Sequence, residues 1–205
     1  MDKEEFQRAT GVSRETVARL EAYRRLLKTW QKAINLVGPK TLANAWERHF
    51  LDSAQLWPLA PEPARHGVWL DLGAGAGFPG LVIALMGASH VHLVESDQRK
   101  AQFLRTVIRE TGAPATVHAV RAEALVPFPV DVITARAFAP LARLLSLAEP
   151  FWGEGTVGLF PKGRDVELEL TEAAKYWKLN PELIPSRTDA EARILRLDGL
   201  QPKPA

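Results

Sequence analysis

The sequence predicts an α/β fold: a doubly wound, mostly parallel sheet of seven strands with helices on both faces, preceded by a helical extension. Three observations carry this. From Val68 onward, short apolar runs alternate with amphipathic stretches, the pattern of a parallel sheet whose crossovers are helices. Four glycines fall among the eight residues from Gly73 to Gly80, directly behind the first apolar run, where a strand must turn into a helix. Two late apolar alternations, at 179–184 and 193–197, read as an antiparallel edge pair.

Taken in order, residues 3–35 read as helical. Ser13 is placed to cap a helix on which Val17, Leu20, Tyr23, Leu27, Trp30 and Ile34 keep helical spacing. A second helix is expected from Leu42 to Trp57, ended by Pro58, and "APEPARHG" at 60–67 reads as a connector. Residues 1–60 thus form an extension packed on a main unit of residues 61–205. Within that unit, strands are expected near 68–72, 90–95, 116–120, 130–135 and 155–160. Helices are expected near 79–87, 98–111, 140–149 and 164–177. In such a sheet the ligand lies beyond the carboxyl ends of the strands, so the residues just after each strand are the ones to inspect.

Composition narrows the chemistry. The 205 residues carry 26 basic and 24 acidic side chains, so a polyanionic partner would have to meet a local basic patch. Cysteine is absent, which excludes disulfides, thiolate metal sites and cysteine nucleophiles. The charged start "MDKEEFQRAT" lacks the apolar core of a signal peptide, and no run of about 18 apolar residues exists to span a membrane. A cytoplasmic protein is expected.

Glycines between strand and helix let the backbone turn tightly and approach a ligand closely. Gly75, Gly77 and Gly80 satisfy G-x-G-x-x-G, and Glu95 ends the next strand at the distance of a ribose-binding acid. That pattern alone fits a dinucleotide, and an NAD-dependent oxidoreductase is the alternative reading. A loop that merely turns the chain is the plainer one. Asp71, closing the strand before Gly73, favours another ligand. A pyrophosphate would face a like charge in a crevice of low dielectric, whereas a cationic ligand would be attracted. S-adenosylmethionine (SAM) carries a sulfonium and an ammonium, and its ribose still suits Glu95. Pro79 in the first turn agrees, because that turn need not grip phosphate.

What the strand tips lack narrows the choice of acceptor. Where methyltransferases acting on exocyclic amines carry an Asn/Asp-Pro-Pro-aromatic motif, this chain has "ARAFAP". Methylation at pyrimidine C5 by the usual route needs a cysteine, and there is none. An acceptor with its own in-plane lone pair, such as guanine N7, needs no general base, and catalysis is then chiefly alignment. Arg136, Arg143, Lys162 and Arg164, with Arg99 and Lys100, cluster at these tips and could meet phosphate or a guanine edge. A solvated charged rim is the rival explanation for Arg99, Arg143 and Arg164. "HVH" at 90–92 places two histidines on one strand face, but no third ligand is evident and no metal is expected.

The segments "INLVGPKTLANAWERHFLDSAQLWP", "WLDLGAGAGFPGLVIAL", "LVESDQRKAQFLR", "RAEAL", "ITARAFAPL" and "FPKG" occur in this order. Over residues 20–175 the chain thereby resembles the GidB (RsmG) family of bacterial 16S rRNA guanine-N7 methyltransferases. The resemblance implies a Rossmann-like class I SAM-dependent methyltransferase fold. It implies SAM as methyl donor and, as partner, 16S rRNA in the small ribosomal subunit or its assembly intermediate. The acceptor would be a guanine in the decoding-region loop.

Carried over by position, cofactor contacts fall on Gly73, Phe78, Ala122, Glu123 and Arg136, with Glu95, Ser96 and Asp97 along the ribose edge; Asp71, Gly75 and Gly77 join them from the reading of the glycine loop above. His49 and Asp52 of "ERHFLDS" would wall the acceptor pocket with Arg136 and Lys162, with no proton-transfer role assigned. A plainer account makes Arg48 and Asp52 an i,i+4 ion pair docking the extension. The family's Gly-Lys-Arg reads here as Gln98-Arg99-Lys100, and its late Glu-Arg-His is only roughly echoed by "EARIL", so nothing is carried over there. No exposed apolar stripe demands a partner copy, and a monomer is expected.

Overall fold

The computed structural model describes residues 1–204. Five parallel strands follow one another: β1 (Val68–Leu72), β2 (His90–Val94), β3 (Ala115–His118), β4 (Val132–Thr134) and β5 (Val157–Lys162). The long strands β6 (Trp177–Pro185) and β7 (Arg193–Pro202) complete the sheet in the order β3-β2-β1-β4-β5-β7-β6, with β7 antiparallel to both neighbours. The helices between them are α5 (Gly80–Met86), α6 (Gln98–Thr111), α7 (Leu141–Ala148) and α8 (Val166–Ala173), preceded by α1 (Lys3–Thr10), α2 (Arg14–Trp30), α3 (Pro39–Leu42) and α4 (Asp52–Ala54).

Alternation along the strands assigns the two faces, because successive side chains of a strand point oppositely. Trp69, Val91, Leu93, Val132 and Leu159 face one core, closed by α2, α5, α6 and the aromatic side chains Phe6, Tyr23 and Phe50. Leu70, Leu72, Ile133 and Phe160 face the other, closed by α7, α8 and Phe151. Each large apolar side chain so buried contributes roughly 1.5–3 kcal/mol. The N-terminal helices share the first core, so the extension is seated on the sheet by the same apolar contacts that hold α5 and α6.

Two expected helices differ in the structure. The run expected over 3–35 breaks at Gly11, which ends α1 with a left-handed φ of 70°; Ser13 then caps α2 by accepting from Thr16 N. The run expected over 42–57 is helical only in pieces, passing through a π-helical turn at Trp46–Leu51 into the short α4. That wider turn changes which side chains share a face, with consequences for Arg48 and Asp52.

The strand order reverses beside β1: one connection leaves it toward β2, while β4 lies on its other side. A crevice opens beyond the carboxyl ends at such a switch point.

Candidate active site

Two cavities adjoin at the switch point. The first, about 370 Å³, lies over β1, β2 and β3 and is lined by the glycine loop, Glu95, Ser96, Ala122 and Arg136 among others. The second, about 690 Å³, lies over β4 and β5, with Asp52, Lys162 and Glu169 in its walls. Arg136, Ala137 and Phe138 line both. Ala137 holds a left-handed φ of 52°, a conformation that costs a residue with a Cβ on the order of 1–3 kcal/mol, and it stands in this shared wall.

The loop after β1 is shaped from beneath. Asp71 has no exposed surface. Its Oδ2 accepts from Gly80 N at 2.9 Å, and its Oδ1 has no partner among the described residues. Burial raises the carboxyl to about 7, Glu95 pushes the same way, and the Gly80 N–H and Arg136 oppose them. A Cβ at Gly80 would lie 2.7 Å from Asp71 Oδ2, so only glycine lets the carboxylate reach that N–H. Asp71, expected at the ligand, lies under the loop, and the cavity lining above it is formed by Gly73, Ala74, Gly75 and Ala76.

Gly75 N donates to Glu95 Oε2 at 2.9 Å, while Glu95 Oε1 accepts from Asp97 N at 2.7 Å. Gly73, at φ 71°, packs its bare Cα against the Phe138 ring; a Cβ there would lie 2.1 Å from Phe138 Cδ2.

Other residues expected at the cofactor have these partners. Gly77 abuts Leu81 and the Tyr23 hydroxyl instead of the cavity. Asp97 caps α6, accepting from Arg99 N and Lys100 N, because a short acid before a helix is drawn to its free N–H groups. Glu123 is exposed and pairs with Arg143 at 3.0 Å, leaving buried Ala122 as the cavity residue of that pair. Arg164 pairs loosely with Asp165 in solvent.

Phe78 lies between two rings, stacked on Tyr23 with centroids 5.1 Å apart and on His49 at 5.0 Å, and the Arg136 guanidinium sits 5.2 Å from its centroid. The Tyr23 hydroxyl donates to Ala76 O within the glycine loop. A core position of α2 thus braces the loop, a role its helical spacing did not advertise.

Arg136 is held from the extension. Its Nη1 donates to Asp52 Oδ2 at 3.0 Å, and its Nη2 lies 3.3 Å from His49 Nδ1. Arginine has only donors, so His49 Nδ1 accepts; its Nε2 then carries the proton and donates to Thr41 Oγ1 at 2.8 Å. Burial, then the Arg136 charge, push His49 down to about 4. His49 is a buried neutral anchor and lies outside both cavity linings.

Arg48 does not pair with Asp52. It reaches Asp189 at 3.3 Å, while Asp52 Oδ1 accepts from Thr188 Oγ1 at 2.7 Å, so the π-helical segment is tied to the β6–β7 turn. Lys162, largely buried, donates to Glu169 Oε2 at 2.7 Å. Phe138, Thr188 and Glu169 were not singled out from the sequence. Phe138 stands two residues after Arg136 at a strand tip, a signal that could have found it; Thr188 has none.

On the opposite edge, His92 Nδ1 lies 2.9 Å from His118 Nε2 beneath Phe128. Burial pushes His92 down to about 4. Among the described residues no three metal-ligating side chains converge, and no helix is long and apolar enough to cross a membrane.

Known proteins resemble this chain in sequence and in fold. The family model described as GidB, rRNA small subunit methyltransferase G, matches residues 16–192. A ribosomal RNA small subunit methyltransferase G of Rhodospirillum centenum is 56% identical over 97% of this chain and 91% of its own. That of Parvibaculum lavamentivorans is 52% identical over 98% and 90%. Among solved structures, a ribosomal protein L11 methylase from Lactobacillus delbrueckii subsp. bulgaricus superposes with a TM-score of 0.53 at 16% identity, covering 74% of this chain and 79% of that one. A Pyrococcus horikoshii TYW2 in complex with MeSAdo gives 0.54 at 15%, covering 81% and 64%. These two share the fold. The dinucleotide alternative finds no support in any of these matches.

Proposed function

Since the chain belongs to the GidB family of small-subunit rRNA methyltransferases, we propose that its two cavities hold the methyl donor and the acceptor base on either side of the wall formed by Arg136, Ala137 and Phe138. It is a SAM-dependent methyltransferase of 16S rRNA. The acceptor atom in this reading is N7 of a guanine in the decoding-region loop, within the small subunit or its assembly intermediate. In this reading the enzyme acts as a monomer in the cytoplasm.

The first cavity fits SAM. Its volume is in the range of small-molecule sites. The bare Cα of Gly73 leaves a cradle, and beneath the loop lies the partnerless Asp71 Oδ1, whose charged form a cation in the cavity would favour. Glu95 would hold the ribose, since each of its oxygens keeps a lone pair beyond its backbone bond. Ser96 and Ala122 would line the adenosine, and Arg136 would reach the donor's carboxylate. SAM supplies an electrophilic methyl group on sulfur.

The second cavity fits a purine. Guanine N7 carries its own lone pair, so no side chain need remove a proton, and neutral His49 agrees with that. The transfer moves positive charge onto the purine, and the cavity walls carry the carboxylates Asp52, Asp165, Glu169 and Asp189 against the cations Arg48, Arg136 and Lys162. This balance favours a neutral base that becomes cationic. Phe138 offers a ring face for stacking beside the transfer point.

The observation that carries the reading is the single wall shared by both cavities. The test is transfer of radiolabelled methyl from SAM to small subunits or 16S rRNA lacking N7-methylguanine, with the product mapped by N7-specific strand scission. One methyl at one decoding-region guanine is expected. Absence of label from both substrates would overturn the reading.

A further inference from the structure

We propose that Glu169 is the residue by which the second cavity distinguishes guanine from other bases, its free Oε1 accepting hydrogen bonds from the base's Watson–Crick edge. The inference rests on the reading of that cavity as the acceptor site. Four carboxylates line it, and three are spent or exposed. Asp52 gives Oδ2 to Arg136 and Oδ1 to Thr188 and Gln55. Asp189 gives Oδ2 to Arg48 and Oδ1 to Glu191 N. Asp165 stands mostly in solvent beside Arg164.

Glu169 is different. Its Oε2 accepts from Lys162 Nζ and from Leu141 N, both at 2.7 Å. Two bonds of different origin, one from β5 and one from the start of α7, fix the carboxylate plane. Its Oε1 bonds to nothing among the described residues, and the side chain is 28% exposed at the cavity wall.

Position then selects the edge that is read. Arg136 and Phe138 line both cavities, whereas Lys162, Asp165 and Glu169 line only the second. A guanine with N7 toward the shared wall presents its opposite side, N1–H and the N2 amine, toward these inner residues. That side carries donors in guanine, which a carboxylate oxygen accepts; adenine offers a bare N1 there and would be repelled. Lys162 in this arrangement is a positioning residue for Glu169, its hydrogen bond to Oε2 leaving Oε1 turned to the cavity.

The test uses the full enzyme and small subunits reconstituted with 16S rRNA carrying either guanosine or inosine at the target. Inosine keeps N7, O6 and N1–H but lacks the N2 amine. Wild-type enzyme should prefer guanosine by roughly tenfold in kcat/KM. Glu169→Gln, which turns an amide donor toward the base, should lose on the order of 10- to 100-fold on guanosine. It should also level the guanosine-to-inosine ratio to near one, with SAM affinity and Tm unchanged. Glu169→Asp keeps the charge and should retain part of that ratio. A ratio unaltered in Glu169→Gln, or a wild-type enzyme indifferent to inosine, overturns the inference, the second outcome standing even where the variant fails to fold. Wild-type enzyme inactive on the guanosine subunit would instead overturn the acceptor-site reading.

Discussion

Replacing Asp71 by asparagine removes a carboxylate that the fold has taken wholly out of water. In the unfolded chain this group titrates near its ordinary 3.8, and in the fold burial raises it to about 7. The interval of about three pH units corresponds to at most about 4 kcal/mol, at 1.36 kcal/mol per unit. The folded state binds this proton more tightly, so the stability linked to it is fully present below pH 3.8. It is lost as pH rises toward about 7, and above that the charged, half-satisfied carboxylate carries its whole cost. The amide of the Asp71→Asn variant would keep an oxygen for Gly80 N and have no charge to bury.

The wild-type and Asp71→Asn proteins should therefore differ little at pH 4.5 and diverge by pH 8 in favour of the variant. At roughly 2–4 °C per kcal/mol for a chain of this size, the about 3 kcal/mol accumulated between pH 4.5 and about 7 should widen the Tm gap by about 6–12 °C. Denaturant unfolding and calorimetry at four pH values measure this. His49 titrates with the opposite sign, its depressed proton affinity lowering stability as pH falls from 6.5 toward about 4, but that contribution is common to both proteins and cancels. Donor affinity should fall in the variant, and only the wild-type should release a proton on binding SAM at pH 7, seen as a buffer-dependent enthalpy. Parallel stability curves would refute the burial account of Asp71.

Three further outcomes are expected. Gly73→Ala places a Cβ inside the Phe138 ring at a positive φ, so SAM affinity should drop at least tenfold by calorimetry; the double variant with Phe138→Ala should recover part of it, and no recovery would mean that the ring is not the obstacle. Asp52→Ala releases Arg136 and Thr188 together; kcat/KM should fall about tenfold or more in the methyl-transfer assay while SAM affinity changes less, since Phe78 still lies beneath the guanidinium. Tyr23→Phe removes the brace on Ala76 O at a buried site and should cost roughly 1–3 kcal/mol in urea unfolding; an unchanged midpoint would place the loop's support elsewhere.

Most of the parallel sheet was legible in the sequence because each strand is read from its own residues. "VWLDL" followed by glycines, and the charged face of 98–111 opposite its apolar one, report burial through local periodicity alone. Glu95 and Arg136 could be placed at strand tips for the same reason, whereas Ala122 came only from the family resemblance. The side chains that orient them could not. Arg48 and Asp52 look like partners four residues apart, but a π-helical turn and two contacts spanning more than eighty residues pair them with Asp189 and Arg136 instead.

Asp71 shows the division most sharply. Its residue type and its place in β1 are local facts, and they indicate a charge near the loop. Whether that charge faces a ligand or lies beneath the backbone depends on how closely α5 approaches, which Gly80, nine residues on, and Leu93 of β2 decide. By itself the sequence determined the alternation of strands and helices, the switch-point crevice and the family. Only the tertiary structure decided which carboxylates are spent on neighbours and which remain open, because hydrogen-bond partners are chosen by proximity in space and leave no periodic trace along the chain.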